Sequence, residues 1–161
     1  MLKIRSGIGY DIHRIKKGDG LIIGGIKIST ELKFVAHSDG DLLIHALIDS
    51  LLGAAGENDI GELFPDTDGR YKNIQSTLLL QQVLDILKNK NFEIINIDAV
   101  IIAESPKISP FKEQIKANMA SLLNIPVEDF NIKAKTKEKI GAVGRGDAME
   151  CFCVSMIRKQ I

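Results

Sequence analysis

Residues 36–49 read AHSDGDLLIHALID, an apolar run carrying a histidine with a carboxylate four residues away on either side. Ser38 and Asp39 are both good helix caps, so the spacing predicts a helix starting at one of them and running to about Ala55. Residues four apart on a helix share a face, which puts Asp41, His45 and Asp49 in one stripe. Around that stripe stand Leu42, Leu43, Ile44, Ala46, Leu47, Ile48, Leu51 and Leu52. A helix this apolar is mostly buried. A buried polar stripe costs free energy unless a partner satisfies it.

Working outward, Leu2 to Ile12 is short, Gly-punctuated and β-like, and Leu21 to Ile28 (LIIGGIKI) reads as a second strand with a bulge at Gly24-Gly25. Glu57 to Arg70 is a loop rich in Asp, Gly and Pro. Leu78, Leu79, Val83, Leu84 and Leu87 recur at helical spacing within Ile74 to about Lys90. Phe92 to Ala103 alternates as a strand does. Ser109-Pro110 reads as a cap and first-turn proline opening a helix to about Leu123. Phe130 to Thr136 and Ala148 to Arg158 complete the strands. This order predicts one α+β domain over residues 1–161, a mixed sheet with helices on one face. The uncovered face then wants a partner, so oligomerisation is expected.

Bulk properties narrow the function classes. A chain of 161 residues with 45% hydrophobic content can build one real core. Lys+Arg 21 balances Asp+Glu 21, so no basic field draws it to nucleic acid. At 5% aromatic and Trp 0, base-stacking platforms are scarce. No apolar run approaches the ~20 residues of a membrane span. The start, MLKIRSGIGYDIH, lacks the apolar region of a signal peptide. Two cysteines, Cys151 and Cys153, make no disulfide framework, and a reducing cytoplasm is the expected setting.

All three histidines, His13, His37 and His45, fall in the first third of the chain. Asp11 and His13 are two apart on a predicted strand and point the same way. Gly7 and Gly9 before them let another backbone or a ligand come close. If this strand packs on the helix, Asp11, His13 and His45 offer one oxygen and two nitrogens. That set suits a Zn²⁺ with its fourth position open. Asp41 or Asp49 would then orient His45 through its other ring nitrogen. Spacing alone also allows, and does not exclude, hydrogen-bonded structural histidines. A second candidate is Lys133 to Arg145 (KAKTKEKIGAVGR), where Glu138 stands among Lys133, Lys135, Lys137, Lys139 and Arg145. Cations, free backbone N–H groups and one carboxylate suit a phosphate with Mg²⁺, although a solvated basic hairpin reads the same. Arg145-Gly146-Asp147 spells an adhesion tripeptide, and Cys151-x-Cys153 reads as a buried structural pair.

The motifs together resemble a known family. Gly7-Ile8-Gly9-Tyr10-Asp11-Ile12-His13, His37-Ser38-Asp39-Gly40-Asp41, His45-Ala46, Asp49 through Ala54, Asp59-Ile60-Gly61 and Phe64-Pro65-Asp66-Thr67-Asp68 resemble the 2-C-methyl-D-erythritol 2,4-cyclodiphosphate synthases. Ala103 through Lys107 and Lys133 through Glu138 extend the resemblance over nearly the whole chain. It implies a phosphorus–oxygen lyase of the non-mevalonate isoprenoid route. Such an enzyme converts 4-diphosphocytidyl-2-C-methyl-D-erythritol 2-phosphate to the cyclic diphosphate and CMP. It implies a chorismate-mutase-like homotrimer with sheets around the threefold axis and active sites at subunit boundaries.

Residue by residue, the resemblance implies that Asp11, His13 and His45 hold zinc and that Glu138 holds Mg²⁺ or Mn²⁺. His37, Asp59 and Glu138 are then catalytic. His37 and Ser38 meet the diphosphate region, with the Ile60-Gly61 backbone close by, and Asp59 holds hydroxyls of the methylerythritol unit. Ala103, Pro106, Lys107, Ala134, Lys135 and Thr136 bind the cytidine diphosphate part from the neighbouring subunit. Asp66, Asp68 and Arg145 also belong to the implied substrate-binding set. The implied partners are a small-molecule substrate and two further copies of the chain, with no nucleic acid and no membrane. The location is bacterial cytoplasm, or plastid stroma after loss of a transit peptide. Ala142 stands where many members have an aromatic lining an apolar cavity on the threefold axis, and the resemblance implies that such a cavity would be widened or emptied here.

Overall fold

A computed structural model describes residues 1–160; Ile161, the last residue of the expected 1–161 domain, lies outside the described residues. Strand β1, Leu2–Lys17, is longer than its sequence pattern suggests, because its last four residues, Arg14–Lys17, pair with β4, Leu32–Val35, a strand absent from the sequence reading. Between them, residues 21–28 form a hairpin rather than one bulged strand. Strands β2 (Leu21–Ile23) and β3 (Ile26–Ser29) are joined by Gly24 and Gly25, at φ of 59° and 75°. A two-residue turn with positive φ at both positions suits glycine at each.

The buried helix is α1, Leu42–Ala55. Its N-cap is Asp41, not Ser38 or Asp39: the Asp41 carboxylate accepts from Ile44 N at 3.2 Å, and from Gly24 N and Gly25 N at 2.9 and 2.7 Å. The expected stripe therefore loses its first member, which faces the hairpin turn. Burial pushes the Asp41 carboxyl up to about 6 even against these three N–H bonds. Helix α2, Ile60–Leu63, interrupts the acidic loop; α3 covers Ser76–Asn89 and α4 covers Lys112–Leu123. Ser109 and Pro110 form a 3₁₀ turn ahead of α4, without the side-chain cap the sequence suggested. Strands β5 (Glu93–Ile102), β6 (Phe130–Lys135) and β7 (Ala148–Gln160), with the short helix α5 (Gly141–Gly144), complete the chain.

The main sheet has the order β4-β1-β7-β5-β6, with β5 and β6 parallel and the other pairs antiparallel. This is the expected single α+β domain with a mixed sheet. Helix α1 lies on one face, against Gly7, Gly9, Asp11 and Cys153. A Cβ at Gly9 would stand 1.9 Å from Ala46 O, and one at Gly7 2.0 Å from Ser50 O. Only glycine allows that approach. The two cysteine thiols are buried on this side, and burial drives both pKa values up, Cys153 to about 12. The other face carries exposed Ile4, Ile8, Tyr10, Ile12, Phe152, Val154 and Met156. Among the described residues no helix is long and apolar enough to cross a membrane.

Candidate metal centre and cavity

Strand alternation and helix contact bring together the three residues the sequence singled out. Asp11 Oδ2 lies 3.1 Å from His13 Nε2 and 3.1 Å from His45 Nδ1. One donor atom from each residue lies within 4.8 Å of the others. For bonds of about 2.0 Å, the edge of a tetrahedron is about 3.3 Å, so the two Asp11 separations match a zinc-sized ion.

The protonation of His13 follows from its outer nitrogen. His13 Nδ1 is 3.0 Å from Gly40 O, and a carbonyl only accepts, so Nδ1 carries the proton. A neutral ring then turns a bare Nε2 toward the Asp11 carboxylate, lone pair against lone pair. Such a contact repels until a cation fills it, so these residues fit a divalent metal. Burial lowers the His13 pKa, with the Asp11 charge pulling the other way, which favours the neutral ring. Burial also opposes charge on His45, but the adjacent Asp11 carboxylate and the charges of Asp41 and Asp39 together raise its pKa.

His45 is not oriented by Asp41 or Asp49, as the sequence suggested. Its Nε2 instead faces Ser76 Oγ at 2.9 Å and Ser38 Oγ at 3.1 Å. Asp41 is turned to the hairpin, and Asp49 accepts from Ile60 N at 2.8 Å, fixing the start of α2. Burial also raises the Asp49 carboxyl. Ser76 gave no signal in the sequence beyond opening an amphipathic helix, because its histidine is 31 residues away.

The triad opens into a cavity of about 360 Å³ whose lining includes Tyr10, His37, Ser38, Asp49, Ile60, Gly61, Phe64, Asp66 and Tyr71. His37 Nε2 is buried without a hydrogen-bond partner among the described residues. Other expected site residues lie outside this lining. Asp59 caps α2 through Glu62 N at 3.0 Å, and Asp68 is held by Arg70, whose hydrogen bonds lower its pKa. Arg145 pairs with Asp147 at 3.1 Å.

Ala103, Pro106, Lys107, Ala134, Lys135, Thr136 and Glu138 gather elsewhere, at the C-terminal ends of the parallel pair β5 and β6. There Ala103 N donates to Lys135 O at 2.9 Å and Thr136 Oγ1 donates to Glu138 Oε1 at 2.7 Å. Glu104, which the sequence reading passed over, accepts from Lys137 N and Lys139 N at 2.9 and 3.1 Å. It thereby holds a loop in which Glu138 and Lys139 have φ of 51° and 61°. Lys133 and Lys137 are paired with Asp98 and Glu150, so the basic segment is partly neutralised within the chain.

A family model described as the YgbB family matches residues 4–158. The chain belongs to the YgbB family. The chain is 46% identical over 154 residues to the 2-C-methyl-D-erythritol 2,4-cyclodiphosphate synthase of Clostridium acetobutylicum, covering 96% of this chain and 99% of that protein. It is 48% identical over 153 residues to a bifunctional enzyme IspD/IspF of Aliarcobacter butzleri, covering 95% of this chain but 41% of that longer protein. An IspF structure from Plasmodium falciparum, a CDP complex, superimposes with a TM-score of 0.86 at 39% identity, covering 98% of this chain and 97% of that one. The family resemblance carried by the sequence motifs is thus borne out over nearly the full length.

Proposed function

We propose that this YgbB-family chain, residues 1–161 acting as one catalytic domain, converts 4-diphosphocytidyl-2-C-methyl-D-erythritol 2-phosphate to 2-C-methyl-D-erythritol 2,4-cyclodiphosphate and CMP. It is a phosphorus–oxygen lyase of the non-mevalonate isoprenoid route, working in the cytoplasm. The observation that carries this reading is the convergence of Asp11 Oδ2, His13 Nε2 and His45 Nδ1 at one wall of a cavity in this fold.

Two imidazole nitrogens and a carboxylate oxygen suit Zn²⁺ with an open fourth position. Asp11, His13 and His45 would hold zinc and Glu138 would hold Mg²⁺ or Mn²⁺, and ions bound there would supply positive charge to offset that of the diphosphate. The nucleophile is the substrate's own 2-phosphate, mostly dianionic at neutral pH because its second pKa is near ~6. No protein base is needed. What the chain supplies is position: tethering already lowers the entropic barrier, and the cavity has only to select the folded-back conformer. His37, with its unpartnered Nε2, and Ser38 face the diphosphate, and Asp49 holds the Ile60-Gly61 backbone where it can donate to it. The apolar wall of Phe64, Tyr71 and Leu79 keeps water from competing for the phosphorus.

The cytidine-binding residues, Ala103, Pro106, Lys107, Ala134, Lys135 and Thr136, come to the cavity from a neighbouring copy in a chorismate-mutase-like homotrimer, together with Glu138. Support for this comes from the exposed apolar sheet face, on which Ile8 is 69% exposed, and from the absence of these residues from the cavity lining of their own chain. Asp59, Asp68 and Arg145, outside the cavity lining of their own chain, complete the proposed substrate-binding set.

The test is to incubate the protein with Zn²⁺, Mg²⁺ and the cytidyl substrate, and to follow products by phosphorus NMR and CMP by chromatography. The expected result is a cyclic diphosphate with one CMP per turnover, and loss of both zinc and turnover in His13→Ala and His45→Ala. Free phosphate or a linear product would point to a phosphohydrolase instead, and full turnover in zinc-free His45→Ala would overturn the assignment.

A further inference from the structure

We propose that Ser76 and Asp39 are positioning residues that fix the tautomer and ring orientation of His45, presenting its Nδ1 lone pair to the metal position. The inference deepens the metal-dependent reading above and rests on it.

The argument is a count of protons. Asp39 Oδ1 accepts from the Ser76 hydroxyl, and Asp39 Oδ2 accepts from Ser76 N at 3.0 Å. Asp39 is itself pinned: its Oδ1 receives Asp41 N at 3.2 Å, and its own N donates to Ile74 O at 3.1 Å. A carboxylate only accepts, and a hydroxyl has one proton to give. The Ser76 proton therefore goes to Asp39, and the Ser76 oxygen presents a lone pair to His45 Nε2 at 2.9 Å. Nε2 must carry the ring proton, which leaves Nδ1 bare in the neutral ring, 3.1 Å from Asp11 Oδ2.

Ser76 is wholly buried, so water does not substitute for it. The arrangement parallels that of His13, whose outer nitrogen is tied to the Gly40 carbonyl. At His13 the partner is backbone; at His45 it is a side chain that mutation can remove. Ser38 Oγ, 3.1 Å from the same Nε2, is a second acceptor, but it also receives Gly40 N and lies in the cavity lining. It therefore leaves a partial restraint when Ser76 is removed. Outer partners of metal-bound histidines typically contribute 10–100-fold in affinity.

Ser76→Ala removes the hydroxyl and keeps the backbone bond to Asp39. Zinc affinity measured by chelator competition is expected to fall by about 10–100-fold. Nitrogen-15 NMR of metal-free protein, at a pH above the histidine range, is expected to show His45 as the Nε2–H tautomer in the wild type and as a mixture in the variant. A purely structural Ser76 would change the melting temperature without moving either readout. Zinc affinity within about threefold of wild type in folded Ser76→Ala, or a wild-type His45 protonated at Nδ1, would overturn the proposal. The wild-type spectrum decides the tautomer even where the variant folds poorly. His45→Ala separates the two readings. If it loses zinc while Ser76→Ala does not, only the positioning role fails; if it retains zinc, the metal-dependent reading fails as well.

Discussion

Replacing Gly9 with alanine adds one methyl group where β1 crosses α1, and the structure sets the size of the consequence. The new Cβ would lie 1.9 Å from Ala46 O and 2.7 Å from Ser50 N, both backbone atoms of a buried helix that cannot rotate aside. Relief to an ordinary contact of roughly 3.5 Å requires the strand and helix to part by about 1.5 Å. Asp11 and His13 travel with the strand, and His45 with the helix. The Asp11–His45 separation of 3.1 Å then opens beyond the ~4 Å that two zinc bonds can span. Overpacking of this kind costs about 3 kcal/mol, a melting-temperature loss of roughly 10 °C at this size. Zinc affinity should fall by about 100-fold or more, as for a misplacement of an ångström or so elsewhere in active sites. Thermal unfolding of the metal-free protein and chelator competition measure the two effects. Gly53→Ala is the control: it sits inside α1, and its Cβ would meet nothing nearer than Ile8 O at 3.9 Å. That change should stabilise by about 0.5–1 kcal/mol through helix propensity. A Gly9→Ala protein with the melting temperature and zinc affinity of its parent would refute the claim that glycine is required for the strand–helix contact to form the site.

Asp41→Asn should destabilise the protein, because an amide nitrogen then faces one of the N–H groups of Gly24, Gly25 and Ile44. The deficit should also depend on pH. The folded Asp41 carboxyl, at about 6, lies above its ordinary 3.8, so its contribution to stability is fully present below the ordinary value and is lost as pH rises through 6. The stability gap between wild type and variant, from urea unfolding, should widen by up to ~3 kcal/mol as pH falls from 7 to 4; a gap that narrows instead contradicts the burial argument. Ile8→Asp places a charge in the middle of the exposed apolar sheet face. Sedimentation should show a monomer in place of the proposed trimer, with zinc retained and turnover lost; an intact assembly would rule that face out as the subunit contact.

Much of the site was legible because its residues carry local constraints. Period-2 spacing put Asp11 and His13 on one side of a strand, and the apolar run around His45 required a buried helix. The Gly7 and Gly9 pair already hinted that something would come close. The misreadings share a different origin. Ser38 and Asp39 both read as good caps for the start of α1, and Asp41 as part of the helix; the choice of Asp41 as the cap depends on two hairpin N–H groups that the same carboxylate satisfies. The Gly24-Gly25 pair reads equally as bulge or turn until its flanking strands are seen to pair with each other. Strand β4 has only four residues and is drawn out by the last four residues of β1, Arg14–Lys17.

By itself, the sequence determined which side chains could bind a metal, which segments must be buried, and which family the chain belongs to. The first two follow from residue type and short-range periodicity, which act over a few positions; the family follows from the resemblance of several separated motifs to known members. Tertiary structure decided how those side chains are protonated and aimed. The partner of His45 is Ser76 and not a carboxylate four residues away: Asp41 is turned to the hairpin and Asp49 to the start of α2, and packing of α1 against α3 sets a hydroxyl on the outer nitrogen. Hydrogen-bond partners are chosen by three-dimensional distance and direction, and a separation of 31 residues leaves no periodic trace.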